Sequence, residues 1–174
     1  MIARIGLQLA LLVAVGTTIG CDRVTKHIAI TTLAGTPARS FLADTVRLQY
    51  VENTGGFLGL GADLPPATRT GLFTGVAGLT VLAVIGVALH RRITGWPLIG
   101  VAMFVAGGAS NWIDRFLRGS VVDFLNIGVG PLRTGIFNLA DVAIMMGVGI
   151  FALAELRRSH PDEGPPHQPQ SLRS

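Results

Sequence analysis

Two aspartates stand where a carboxylate is costly. Asp141 lies inside an apolar run that begins near Gly135, and Asp123 sits between Val122 and Phe124 in the apolar stretch 121–125. An acid in such surroundings is either neutral or paired. Two acids brought to one apolar face can share a single proton, because like-charge repulsion and desolvation keep one of them protonated. The ionised member then activates a water, and the protonated member polarises a carbonyl. Other polar residues recur at helical spacing around them. Asp22 and Lys26 are four apart, Asn111, Asp114 and Arg115 stand at i, i+3 and i+4, and Asn138 precedes Asp141 by three. Asn53 opens a turn, Asn53-Thr54-Gly55-Gly56. Taken singly, Asp22–Lys26 reads as an interfacial ion pair. Asn111 to Arg115 reads as well as a helix-end cap with a snorkelling arginine as it does as part of a site.

Rival chemistries are weaker. A Ser–Lys dyad needs Lys26, the single lysine, with Ser110 or Ser120 as nucleophile. Asp22 keeps that lysine charged and a poor base. The single cysteine, Cys21, has no histidine partner nearby and is expected to pack within its helix. His27, His90, His160 and His167 lack metal-ligand spacing, and Gly128-Val129-Gly130-Pro131 is too short for a dinucleotide loop. No metal or organic cofactor is expected.

The elements that carry these residues follow from composition. The chain has 174 residues, 49% hydrophobic and only 14% charged, with 23 glycines. Soluble domains carry about 25% charged residues, so the pattern is that of helices in lipid. Hydrophobicity excludes intrinsic disorder, one cysteine excludes a disulfide scaffold, and scattered basic residues argue against nucleic acid. Four apolar runs are long enough to span a membrane, at about 5–21, 71–89, 96–113 and 135–156. The expected fold is therefore an all-α membrane protein: four transmembrane helices in a single unit, residues 1–158. A small β-containing extracytoplasmic element joins them, since residues 45–51 alternate as a strand does. Residues 159–174, rich in proline, read as a disordered cytoplasmic tail. The density of arginine at Arg4, Arg91-Arg92 and Arg157-Arg158 places both termini in the cytoplasm. Every acid-plus-amide cluster then falls at the extracytoplasmic face. The first span, although it ends in Thr18-Ile19-Gly20-Cys21, reads as an uncleaved helix.

Five ordered blocks carry a family resemblance. They are Asp22-Arg23-Val24-Thr25-Lys26, Asn53-Thr54-Gly55-Gly56-Phe57, the run GGASNWIDR from Gly107 to Arg115, Gly119-Ser120-Val121-Val122-Asp123-Phe124, and Phe137-Asn138-Leu139-Ala140-Asp141. In these the sequence resembles the lipoprotein signal peptidase (signal peptidase II) family, bacterial aspartyl membrane proteases. Ser110 and Gly56 depart from the commoner glycine and alanine but stay small. The resemblance implies that Asp123 and Asp141 are the catalytic pair, with Asp22, Lys26, Asn53, Asn111, Arg115 and Asn138 in supporting or substrate-binding roles. It implies a prolipoprotein substrate already bearing a diacylglyceryl group and cut just before the lipidated cysteine. The expected setting is the bacterial cytoplasmic (inner) membrane, with membrane lipid as a partner, no nucleic acid, and a monomeric protein. A small proton-coupled transporter with Asp141 as relay acid is the alternative from another class, and the lack of an internal repeat weakens it. A non-catalytic relative that binds signal peptides is the other.

Overall fold

Charge does not end the helices where the sequence pattern places their ends. The computed structural model describes residues 2–55 and 64–159. Helix α1 spans Ile2–Leu33, α2 Pro66–His90, α3 Trp96–Arg118 and α4 Leu139–Ser159. The expected first span stops before Asp22 and the third at Asp114-Arg115, yet α1 continues to Leu33 and α3 to Arg118. The physical reason is burial. Asp22, Lys26 and Asp114 are 0%, 3% and 3% exposed, so they pair between helices and do not seek the membrane surface. At 1.5 Å per residue α1 is about 48 Å long, longer than a hydrocarbon core of about 30 Å. Residues 56–63, which hold part of the Asn53 block, and the expected tail beyond Ser159 lie outside the described residues.

The fourth helix begins at Leu139, where the sequence reading starts the span at Gly135. Phe137 is drawn away from helix by a bridge to Leu125, its N–H donating to the Leu125 carbonyl and its own carbonyl accepting from the Leu125 N–H, both at 2.9 Å. The second span is contained in α2, which starts earlier, with Pro66 in its first turn, where a missing N–H costs nothing.

Helix α3 is the hub, packing against α1 and α2 and most extensively against α4. Its buried face, which includes Gly100, Val101, Ala106 and Gly107, is built from small residues that let backbones approach. A Cβ at Gly107 would run into the Ala140 carbonyl oxygen and stand 2.9 Å from Ile144 Cγ1; one at Gly100 would stand 2.8 Å from the Gly147 oxygen. Gly107→Ala is expected to cost about 1–3 kcal/mol, the usual range for overpacking, whereas Gly149→Ala, which meets nothing within 4 Å, should be neutral. Thermal unfolding of both variants in detergent checks this; equal midpoints would refute the close α3–α4 packing.

The opposite chemistry holds outside. Leu79, Leu82, Leu89, Met145, Leu153 and Leu156 are exposed, as expected where the surrounding medium is lipid. Among the described residues three helices, Pro66–His90, Trp96–Arg118 and Leu139–Arg158, are long and apolar enough to cross a membrane.

Strands β1 (Arg39–Phe41), β2 (Val46–Asn53), β3 (Val121–Val129) and β4 (Leu132–Arg133) form one antiparallel sheet in the order β1-β2-β3-β4. The expected strand is β2; β3 is the element the sequence pattern hides. Val122 packs with Ala29 and Leu33 of α1 in a small core shared with Leu48, Tyr50 and Phe124. Thus the sheet sits on the C-terminal end of α1. Gly119, in the left-handed region at φ 74°, ends α3 and turns the chain directly into β3. Asp123 therefore follows the hub helix by only a few residues. Gly130, at φ 56°, serves the β3–β4 turn, which accounts for the Gly-Val-Gly-Pro run.

Candidate active site

Asp141 lies in the first turn of α4, and its position follows from how that helix starts. Asn138 precedes the helix and caps it: the Asp141 N–H donates to Asn138 Oδ1 at 3.0 Å, and the Asn138 N–H donates to Asp141 Oδ2 at 3.1 Å. This reciprocal pair satisfies two backbone donors that a helix start leaves open. The bridge at Phe137 anchors the preceding residue to β3, so cap and strand are held together.

Asp123 comes from β3, and the sheet register supplies its first partner. Val51 pairs with Asp123 and Asn53 with Val121, which makes Asn53 and Asp123 diagonal neighbours on one face. Asn53 Nδ2 donates to Asp123 Oδ2 at 3.1 Å. On the other oxygen, Asn138 Nδ2 donates to Oδ1 at 2.6 Å. One asparagine, itself fully buried, thus holds both carboxylates. Burial pushes the Asp123 carboxyl up to about 6, and the nearby Asp141 charge adds to this. The hydrogen bonds from Asn53 and Asn138 oppose the rise, as donors to a carboxylate do. A carboxyl raised this far retains its proton at pH values where an ordinary aspartate has lost it.

Behind the pair lies a buried ionic cluster. Lys26 Nζ forms ion pairs with Asp22 Oδ2 and Asp114 Oδ2, both at 2.7 Å, and donates a hydrogen bond to Asn111 Oδ1 at 2.8 Å. Asp22 also accepts from Ser110 Oγ at 2.7 Å and from the Ala140 N–H at 2.9 Å, so it joins α1 to α3 and α4. Arg23 pairs with Asp114. The cluster holds two carboxylates and two cations and is neutral as a unit. Its geometry also orients the site. A lysine only donates, so Asn111 must turn its carbonyl oxygen toward Lys26 and its amide nitrogen toward Asp141, where Nδ2 donates to Oδ1 at 2.8 Å. Arg115, partly buried, reaches the Gly55 carbonyl at 3.3 Å and the Asn111 carbonyl at 3.4 Å, and so links the turn after β2 to α3.

All eight sequence candidates meet in one network, but some in other roles than expected. Asp22 and Lys26 do form an ion pair; it is buried, not interfacial, because Asp114 and Asn111 stand against the lysine as further partners. Ser110 and Ser120 are engaged by Asp22 and by Glu52, the latter at 3.0 Å, so neither is poised toward Lys26 as a nucleophile. Cys21, expected to pack, is exposed on α1, since the buried stripe of that helix passes through its neighbour Asp22. Arg23 and Asp114 complete the cluster from outside the eight candidates. The signal for Asp114 was its i+3 spacing from Asn111, while for Arg23 no local signal existed, because its partner is 91 residues away.

The family model for signal peptidase (SPase) II matches residues 14–157. A protein named lipoprotein signal peptidase in Desulforapulum autotrophicum is 33% identical over 145 residues, 83% of this chain and 90% of that protein. Its namesake in Streptococcus pneumoniae is 31% identical, covering 80% and 87% of the two chains, and that of Pelodictyon phaeoclathratiforme 36%, covering 72% and 78%. Among solved structures, one described as "Bacterial membrane enzyme structure by the in meso method at 2.3 A resolution" superposes with a TM-score of 0.77 at 21% identity, over 94% of each chain. That likeness concerns the fold. Helices, sheet and relatives together define the class: a bacterial multi-pass membrane protein and an aspartic peptidase. Within that class, the chain belongs to the signal peptidase (SPase) II family.

Proposed function

We propose that Asp123 and Asp141 are the catalytic pair with which this peptidase removes signal peptides from bacterial prolipoproteins. The observation that carries the reading is Asn138, one buried side chain that hydrogen-bonds Asp123 and caps the helix bearing Asp141. In the mechanism a water lies between the two acids. The ionised carboxylate takes a proton as the water oxygen attacks the scissile carbonyl, and the protonated one donates toward the developing oxyanion. Collapse of the tetrahedral intermediate passes a proton to the leaving amine and restores the shared proton. Which acid starts ionised is a property of the pair, since coupled groups titrate together. Asn53, Asn111 and Asn138 orient the carboxylates, Asp22 and Lys26 orient Asn111, and Arg115 fastens the Gly55 carbonyl beside the site. The substrate that fits the family is a diacylglyceryl-modified prolipoprotein, cut before its lipidated cysteine. Incubation of the purified protein in detergent with such a substrate should shift it down by the mass of its signal peptide. An unchanged band would refute the reading.

The reading includes four membrane spans, α1 being the fourth, with cytoplasmic termini, a monomeric enzyme and no nucleic-acid partner. The arginines at the loop Arg91-Arg92 and at Arg157-Arg158 support this orientation. A topology reporter fused after Arg92 or Arg158 should read cytoplasmic, and one in the β1–β2 turn at Ala43 extracytoplasmic. Reversed signals would place the acids on the wrong side for exported substrates.

Arg115 offers a separate test. Lysine keeps its charge but lacks the planar set of donors that reaches two carbonyls. Arg115→Lys is expected to lower the initial cleavage rate at least about tenfold, roughly 1.4 kcal/mol, at matched membrane abundance. Asn111→Ala should fall comparably, since it strips a donor from Asp141 and an acceptor from Lys26. Near wild-type rates for both would make this cluster a helix anchor only.

A further inference from the structure

A cleft of about 200 Å³ lies between the C-terminal part of α1 and the sheet; neither acid of the site and no other carboxylate lines it. Its walls are Ile28, Ala29 and Leu33 of α1 with Phe41, Leu48 and Phe124 of the sheet. Two threonines also line it, but their hydroxyls turn back on their own helix. Thr25 Oγ1 donates to the Cys21 carbonyl at 2.9 Å and Thr32 Oγ1 to the Ile28 carbonyl at 2.7 Å. The remaining polar lining group is Arg39. From Thr25 to Thr32 the helix rises about 10 Å, so the cleft is an open slot that runs along the helix. It also continues the exterior of α1, where Val24 and Ile28 are exposed.

Arg39 differs from its neighbours on the sheet. Arg47 and Arg133 are both tied to Asp44, at 2.5 and 3.5 Å. Arg39 donates to the Thr32 carbonyl at 3.0 Å, and among the described residues no carboxylate pairs with it. An apolar slot that opens on the exterior of α1, with an unmatched guanidinium near the C-terminal end of that helix, has the polarity of a phospholipid: acyl chain below, phosphate above. Guanidinium recognises phosphate through parallel N–H donors.

We propose that this cleft binds one anionic phospholipid of the surrounding leaflet, with an acyl chain in the slot and its phosphate on Arg39. A neutral diglyceride, such as the lipid carried by the substrate, would fill the slot and leave Arg39 unmatched. The proposal rests on the reading of α1 as a membrane span and stands independently of the catalytic reading.

The test uses the full chain in detergent and a phosphatidylglycerol bearing a diazirine midway along one acyl chain. After photolysis, the labelled residues are mapped by mass spectrometry. Labelling is expected to concentrate on Ile28, Leu48 or Phe124, and to fall at least fivefold in Arg39→Gln and in Ile28→Trp. Both variants should keep wild-type helical content by circular dichroism. Ile28 is already half exposed, so its substitution leaves the fold in place if Arg39→Gln does not. Excess unlabelled phosphatidylglycerol should compete, and excess dioleoylglycerol should compete at least fivefold less well. Labelling spread evenly over the exposed residues of α2 and α4, an undiminished yield in both variants, or equal competition by the diglyceride would each overturn the proposal.

Discussion

Asp123→Asn and Asp141→Asn each lower the initial rate of prolipoprotein cleavage at least about 100-fold, the lower end of what loss of a general acid–base costs. An amide can neither take the water's proton nor share one with the remaining acid. Both substitutions keep the side-chain volume, and the Asp123 environment already favours an uncharged group. Membrane insertion and abundance should therefore match wild type. The measurement is a time course of substrate size shift at equal amounts of purified enzyme. Either variant retaining more than about a hundredth of the wild-type rate would remove that residue from the catalytic pair. Asn138→Ala gives a useful companion reading, because it removes the amide donor to Asp123 and the cap of α4 together.

The second large effect is on stability. Lys26→Met leaves Asp22 buried without a cation and Asp114 with Arg23 alone. Breaking a buried ion pair by removing one partner typically costs about 3–5 kcal/mol, because the other charge stays uncompensated. The variant should unfold at markedly lower denaturant concentration in detergent. Adding Asp22→Asn should recover part of that loss by removing the stranded charge, a non-additivity that a double-mutant cycle measures. Cleavage should not recover with it. Without the ammonium donor Asn111 Oδ1 keeps only the Asn138 amide, at 3.3 Å, and its hold on Asp141 loosens. A Lys26→Met protein as stable as wild type would mean that water reaches the cluster and screens its charges.

These two expectations draw on different levels of information, and the chain shows where each level stops. The helices were legible because apolar runs near membrane length have one good solution, a backbone that satisfies its own polar groups. Strand β2 was legible from its alternation, and the convergence of acids and amides at one end of the bundle followed from alternating direction alone. Asp123 and Asp141 stood out because an acid in apolar surroundings needs a reason.

What local pattern could not supply was any partner distant in the chain. Strand β3 starts with three successive buried residues, Val121, Val122 and Asp123, so its period of two is masked at the end that matters. The apparent ends of α1 and α3 were set by charges that look like interface anchors until Asp22, Lys26 and Asp114 are seen to neutralise one another between helices. Residue 137 reads as helix by apolarity, yet a strand bridge claims its backbone, and the cap at Asn138 moves the helix start with it. Asn53 finds Asp123 across 70 residues, and Asp22 finds the Ala140 N–H across 118. Residue order alone settles where the long apolar helices run and which side chains are too costly there without a purpose. The tertiary structure decided who neutralises whom, because an ion pair or an amide's orientation is settled only when helix packing and strand register bring its partners within hydrogen-bonding distance and exclude the solvent that would otherwise compete.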